Sequence, residues 1–175
     1  DVYKRQSQNR ISTMSFIHES LYKNSDFSSI SFSDYLERLT QNLIHSYSHV
    51  TTGVELMTKL DDVHINLKQA IPCGLIVNEL VSNCLKYAFK GMSSGKIYLR
   101  VQRAGANLEI QVADNGVGLP EDFDFETNES LGVYLVQALT DQLDGSLIVD
   151  NKHSDNALEW TTGASFLVSF TPLTD

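Results

Sequence analysis

Apolar residues recur along this chain with two different periods, helical in some stretches and strand-like in others. Residues 7–23 place Ile11, Met14, Ile17, His18 and Leu21 at three- and four-residue steps, which predicts an amphipathic helix. A polar, Ser-rich turn covers 24–31. Ser31 or Ser33 can then cap a second helix through about Tyr47, with Tyr35, Leu36, Leu39, Leu43 and Ile44 on one stripe. Two such helices joined by a short turn predict an αα-hairpin or its remnant. From Gly53 the period shortens. Residues 54–60 and 64–67 read as strands, and 67–89 as one long helix. Residues 95–103 and 107–113 alternate around Ala104–Gly105–Ala106, a hairpin signal. Gly, Pro and acids make 114–129 a long loop. Residues 131–143 read as a helix, 146–150 and 165–170 as strands, and 151–163 as an irregular connection. The expected fold is α+β: a two-layer sandwich with helices on one face of a mixed, mostly antiparallel sheet, carrying an N-terminal helical appendage.

Composition narrows the function classes. At 175 residues the chain is one domain, or one domain with an appendage, and 42% hydrophobic residues suffice for a core. Acids outnumber bases 22 to 13, a formal charge of −9, so no basic surface is available to neutralise nucleic-acid phosphates. Cys73 and Cys84 lack metal-ligand spacing and fall on the apolar side of one predicted helix, which predicts buried thiols in a reducing compartment. No apolar run approaches the roughly 18 residues of a membrane span, and no signal peptide opens the chain. The expectation is a soluble, cytoplasmic chain whose parent can still be membrane-anchored. Residues 1–6 read as a leader foreign to the fold.

Three segments carry candidate chemistry. In GLIVNELVSNCLKYAF (74–89), steps of about 100° per residue bring Glu79, Asn83, Lys86 and Lys90 within about 60° of one another, while Val77, Leu80, Val81, Cys84 and Ala88 cover the opposite side. Such a face suits a magnesium-chelated polyphosphate. Asn83 offers an oxygen to a hard cation, Lys86 offers charge to phosphate, and Glu79 can orient a nucleophile or accept its proton. The plainer alternative is a solvated helix face. In VADNGVGLP (112–120), Asp114 ends a strand before a loop with Gly116 and Gly118, and its carboxylate can accept a hydrogen bond from an exocyclic amine. In ESLGVYLVQAL (129–139), Gly132 stands where backbone N–H groups at a helix start form an anion site, or where Ser130 simply caps the helix.

The three segments, in this order, resemble the GHKL ATPase superfamily and within it the histidine kinases whose boxes read NELVxNxxKYAF, DNGVGLP and SLGxxLV. QNRISTMSFIHESLY resembles the second helix of that group's dimerisation and phosphotransfer hairpin. The resemblance implies ATP and magnesium as cofactors, with Asn83 as magnesium ligand and Glu79 as the residue that helps activate the attacking group. It places Lys86 and Tyr87 beside the phosphates and sugar, and Asp114 at the adenine. Gly116 and Gly118 match a first glycine box, Leu131 and Gly132 a second, and Gly163 the last, with a lid over about 119–129. It further implies a catalytic domain over 31–175, a hairpin remnant over 7–30, homodimerisation through that hairpin in the full-length protein, and a response regulator as downstream partner. Ala164 replaces the Thr usual after the last box, so one hydroxyl near the adenine is missing, and Thr162 or Ser165 can stand in for it. His18, in IHES, is expected to be a packed helix histidine, since the acceptor of the resembled group lies on the preceding helix; a fragment without that helix is not expected to phosphorylate itself. His45, His49, His64 and His153 read as surface or partly buried, and Trp160 as a packing residue. Two alternatives remain open at this level, a serine kinase of the anti-sigma kind and a catalytically dead nucleotide-binding or interaction module.

Overall fold

The computed structural model describes residues 15, 19, 30–47, 53–121, 123–124, 130–151 and 162–173. Apart from Ser15 and Glu19, the helix expected over 7–23 lies outside them. So do His18, His49, His153, Trp160 and most of the expected lid and the 151–163 connection. The elements run β1 (Ile30–Ser31), α1 (Phe32–Tyr47), β2 (Val54–Leu60), β3 (His64–Ile65), α2 (Leu67–Asn83), a π-turn (Cys84–Ala88), β4 (Gly95–Ala104), β5 (Asn107–Asp114), α3 (Leu131–Gln142), β6 (Ser146–Asp150) and β7 (Ser165–Phe170).

Five strands form one sheet in the order β2-β4-β5-β7-β6. Among the described residues its β2–β4 pair is parallel and the other three pairs are antiparallel, so the sheet is mixed and mostly antiparallel, as expected. Period-two patterning puts Ile97, Leu99 and Val101, Leu108, Ile110 and Val112, and Phe166, Val168 and Phe170 on one face, all buried in a single core with the helices. Ala104 pairs with Asn107, leaving Gly105 and Ala106 as a two-residue loop. Gly105 has φ +63°, the first-position glycine that a type II′ hairpin requires.

At the chain's start the structure departs from expectation. Ile30 and Ser31, assigned to a turn, pair with Ile65 and His64 as a short antiparallel ribbon. Phe32 N then donates to Val63 O at 2.9 Å, so α1 begins directly from that ribbon. Its buried stripe of Phe32, Tyr35, Leu36, Leu39 and Leu43 contacts α2, which also packs against α3.

α2 is therefore the central helix. Asn66 caps it by accepting from Gln69 N at 3.1 Å. Every side chain from Gln69 to Ser82 is buried except half-buried Ile71. Gln69 also holds the segment beyond β7: its Nε2 donates to Thr171 O at 3.0 Å, and Leu173 N donates to its Oε1 at 2.8 Å. Gly74 lets α1 approach closely, because a Cβ there would lie 1.7 Å from Tyr35 Oη. That hydroxyl is buried without a hydrogen-bond partner among the described residues, and burial pushes its pKa far above the ordinary tyrosine range. Two outcomes follow in urea denaturation. Gly74→Ala should cost about 1–3 kcal/mol by overpacking. Tyr35→Phe should be neutral or stabilise by about 1 kcal/mol, since it removes an unsatisfied hydroxyl; a clear loss in Tyr35→Phe would show that the hydroxyl has a partner after all.

Candidate functional site

The site residues converge where α2 ends against the last residues of β5. Glu79, on α2, is 5% exposed, and Asn78 Nδ2 donates to its Oε1 at 3.4 Å. The solvated-face alternative is thus overturned for Glu79: neighbouring elements cover the helix on every side, so its polar face is interior. Asn83, the last α-helical residue, is half-buried. Beyond it the helix widens into the π-turn, which puts an extra residue into the turn. Side chains after Asn83 therefore rotate off the line that uniform 100° steps predict. The predicted four-residue face holds for Glu79 and Asn83 but not for Lys86 and Lys90. Lys86 is half-buried, Tyr87 is exposed, and Lys90 Nζ lies 5.1 Å above the Tyr87 ring.

Asp114 closes β5 opposite Ile97, which puts its side chain on the helix-facing side of the sheet. It is 2% exposed. Its Oδ1 accepts from Gly116 N at 2.9 Å and from Ala164 N at 3.4 Å, and Cys84 Sγ donates to its Oδ2 at 3.4 Å. The backbone joins the same strands, with Asp114 N donating to Ala164 O at 2.9 Å. The loop that follows is stitched to the π-turn by Val117 N donating to Ala88 O at 2.9 Å. Asn115 fixes it to β4, accepting from Lys96 N at 2.7 Å while its own N donates to Lys96 O at 3.2 Å.

Two glycines owe their identity to this junction. A Cβ on Gly116 would meet Ala88 O at 2.2 Å, and one on Gly163 would meet Asp114 O at 1.9 Å. Their absent side chains let backbone meet backbone. Gly118 has φ +76° and sits beside Asn151. Asn151 grips the same loop, with Leu119 N donating to its Oδ1 at 2.7 Å and its Nδ2 donating to Leu119 O at 3.1 Å. Leu131 and Gly132 open α3, where Ser130 Oγ accepts from Val133 N at 3.4 Å, so the helix start is capped; Leu131 is exposed.

Sequence reasoning missed Cys84, Asn115 and Asn151. The Asn of a D-N-G loop is a backbone-bonding signal, but nothing local marks the other two. Both thiols are buried as expected. Burial pushes the Cys84 thiol well above its ordinary range and the charge of Asp114 adds to this, so Cys84 stays protonated and can donate. One expectation fails. Ser165 cannot replace the missing hydroxyl at 164, because it pairs with Ala113 and its Oγ accepts from Gln111 Nε2 at 3.0 Å on the outer face of the sheet. Thr162 is exposed. Of the expected surface histidines, His45 and His64 are exposed.

A family model described as "Histidine kinase-, DNA gyrase B-, and HSP90-like ATPase" matches residues 68–174, and one described as "Histidine kinase" matches residues 2–47. The sensor histidine kinase PdtaS of Mycobacterium tuberculosis is 26% identical over 144 residues, covering 81% of this chain and 28% of that protein. Blue-light-activated histidine kinase 2 of Erythrobacter litoralis is 31% identical over 116 residues, covering 66% of this chain and 33% of that protein. The chain thus spans about a third or less of these relatives. Among solved structures, the histidine kinase domain of the Erythrobacter litoralis EL346 blue-light-activated kinase superposes with a TM-score of 0.78 at 22% identity, covering 94% of this chain and 74% of that one. The catalytic domain of histidine kinase ThkA gives 0.66 at 16% identity, covering 86% and 99%. At such identities the superpositions establish the fold.

The glycine contacts yield a ranking measurable by urea denaturation without nucleotide. Gly163→Ala should cost about 3 kcal/mol, since it adds left-handed strain to a backbone clash. Gly118→Ala should cost only about 1 kcal/mol, because its φ is strained but its Cβ would stand 3.2 Å from a side-chain atom of Asn151. Equal losses would contradict the packing account.

Proposed function

The chain belongs to the histidine kinase-, DNA gyrase B- and HSP90-like ATPase family, and from that premise we propose that it is the ATP-binding catalytic domain of a sensor histidine kinase. In this reading it moves the γ-phosphate of Mg-ATP to a histidine of the kinase's own helical hairpin. The observation that carries it is Asp114, a buried carboxylate held by backbone N–H groups of two glycine boxes, at the end of the helix that bears Glu79 and Asn83. The match of residues 2–47 to a histidine kinase model supports that hairpin and weighs against a serine kinase. α1 shares its core with α2, which supports starting the catalytic domain at residue 31. Residues 7–30 then belong to the hairpin, and the histidine kinase match over 2–47 takes in that segment together with the opening residues and α1.

Roles follow from the chemistry of the side chains. Asp114 accepts the exocyclic amine of adenine, and Gly116, Gly118 and Gly163 set the loop backbones around it. Lys86 and Tyr87 lie along the phosphates and sugar, with Lys90 adding charge beside Tyr87. Leu131 and Gly132 offer backbone N–H groups at the start of α3. Among the described residues no three His, Cys, Asp or Glu side chains form a cage for a metal ion. A hard cation at half-buried Asn83 fits as one carboxamide oxygen plus phosphate oxygens and water, a set magnesium accepts; when bound, magnesium supplies charge neutralisation on the transferring phosphoryl group. Glu79, already oriented by Asn78, is the group that positions the incoming imidazole or takes its proton. The domain contributes positioning and electrostatics and forms no covalent bond of its own. Among the described residues no helix is long and apolar enough to cross a membrane. We place the domain in the cytoplasm, in a kinase that dimerises through its hairpin and passes phosphate to a response regulator.

ATP titration with and without magnesium tests the reading. Asp114→Asn should weaken binding at least about tenfold by replacing an ionic acceptor, and Asn83→Ala should abolish the magnesium dependence while leaving magnesium-free binding in place. Wild-type protein that binds no ATP up to millimolar concentration would sink the proposal.

A further inference from the structure

We infer that Cys84 is a positioning residue for base recognition, its thiol fixing the plane of the Asp114 carboxylate. The inference rests on the adenine-reading role proposed for Asp114 and goes beyond it. Oδ1 of Asp114 is anchored by the N–H groups of Gly116 and Ala164, at 2.9 and 3.4 Å. Those two bonds hold one oxygen, and the Cys84 thiol, donating to Oδ2 at 3.4 Å, holds the other.

Two further observations point the same way. Ala164, just before β7, is buried in the core shared with the helices, yet its methyl donates nothing. Nor does the hydroxyl next in sequence help, since Ser165 is committed to Gln111 on the opposite face. The thiol also suits the task chemically. As a weak donor it leaves most of the basicity of Oδ2 for an incoming amine. Cys84 opens the π-turn, so the distortion of the helix and the orientation of the carboxylate are one local arrangement.

The test compares ATP with purine riboside triphosphate, which lacks the exocyclic amine. Titrations use wild type, Cys84→Ala, Cys84→Ser, and Cys73→Ala as a control for losing a buried thiol elsewhere on the same helix. A positioning role predicts that Cys84→Ala raises the ATP dissociation constant about five- to tenfold, as expected for the loss of one hydrogen bond of ordinary strength. The purine riboside triphosphate constant should shift less than about twofold. Cys84→Ser, which retains a donor, should stay within about twofold of wild type for both nucleotides, and Cys73→Ala should leave discrimination intact. Equal weakening of both nucleotides in Cys84→Ala would reduce Cys84 to packing and overturn the inference, as would no change in either. Wild-type protein that binds ATP but does not prefer it over the amine-free analogue would instead remove the role of Asp114, and the inference with it. Thermal melting of each nucleotide-free variant shows whether it remains folded.

Discussion

A carboxylate taken almost wholly out of water has to find its hydrogen bonds within the protein, and Asp114 imposes that constraint on everything around it. An ionised carboxylate left unpaired in such a place would cost several kcal/mol. Three separate stretches of chain come to Asp114: the loop at Gly116, Ala164 just before β7, and the helix at Cys84. Each approach dictates sequence. Gly163 is glycine because a Cβ would strike the Asp114 carbonyl, and Gly116 because one would strike Ala88. The register that pairs Asp114 with Ile97 turns the side chain toward the helices and away from the outer face.

The π-turn is the helix's side of the same bargain. An unbroken α-helix through residue 89 would carry Lys86 and Lys90 above Glu79 and Asn83 and leave the loop after β5 without its anchor. Widening at Cys84–Ala88 instead presents the Cys84 thiol to Asp114 and the Ala88 carbonyl to Val117. π-turns are rare, and they recur where a helix has to serve a site at its own expense. The rest of α2 tolerates the distortion because sheet, α1 and α3 pack around it and fix its axis independently of its last turn.

Most of the fold was legible in the sequence because strand alternation is a direct record of burial. Ile97, Leu99 and Val101 could face only one way, and the same holds for the apolar sets of β5 and β7. α2 was harder. Read as two-faced, it is buried all round, and periodicity cannot separate a polar residue that is interior and bonded, such as Glu79, from one in solvent. The π-turn leaves no mark in composition, so the uniform helix overshot at Asn83. Ser165 is a different kind of miss. The alternation that buries Phe166 and Val168 already put Ser165 on the opposite face, so the idea that it replaces a hydroxyl at 164 was refutable from the sequence. Cys84 and Asn151 were illegible for a better reason: each acts on backbone or side chain some 30 residues away, and a single sequence contains no record of that pairing.

The charge balance completes the account of the site. A chain with a formal charge of −9 has to bind a polyanion, and its overall field works against the encounter at low ionic strength. Screening by physiological salt confines that repulsion to about 8 Å, so the outcome is set by the few groups within that range of the phosphates. In the proposed site these are Lys86, Lys90 and the N–H groups opening α3, set against Glu79, which is buried and already bonded. Two lysines on the turn beyond Asn83, set against one buried carboxylate, leave a small local excess of positive charge, enough to orient phosphates but not to neutralise them. The remaining charge has to be met by a cation that arrives with the nucleotide. This fits the presence of a single half-buried carboxamide at Asn83 where a dedicated metal site would need several carboxylates. In the proposed site, magnesium dependence follows from how few positive groups stand within that range, and not from the net charge of the chain.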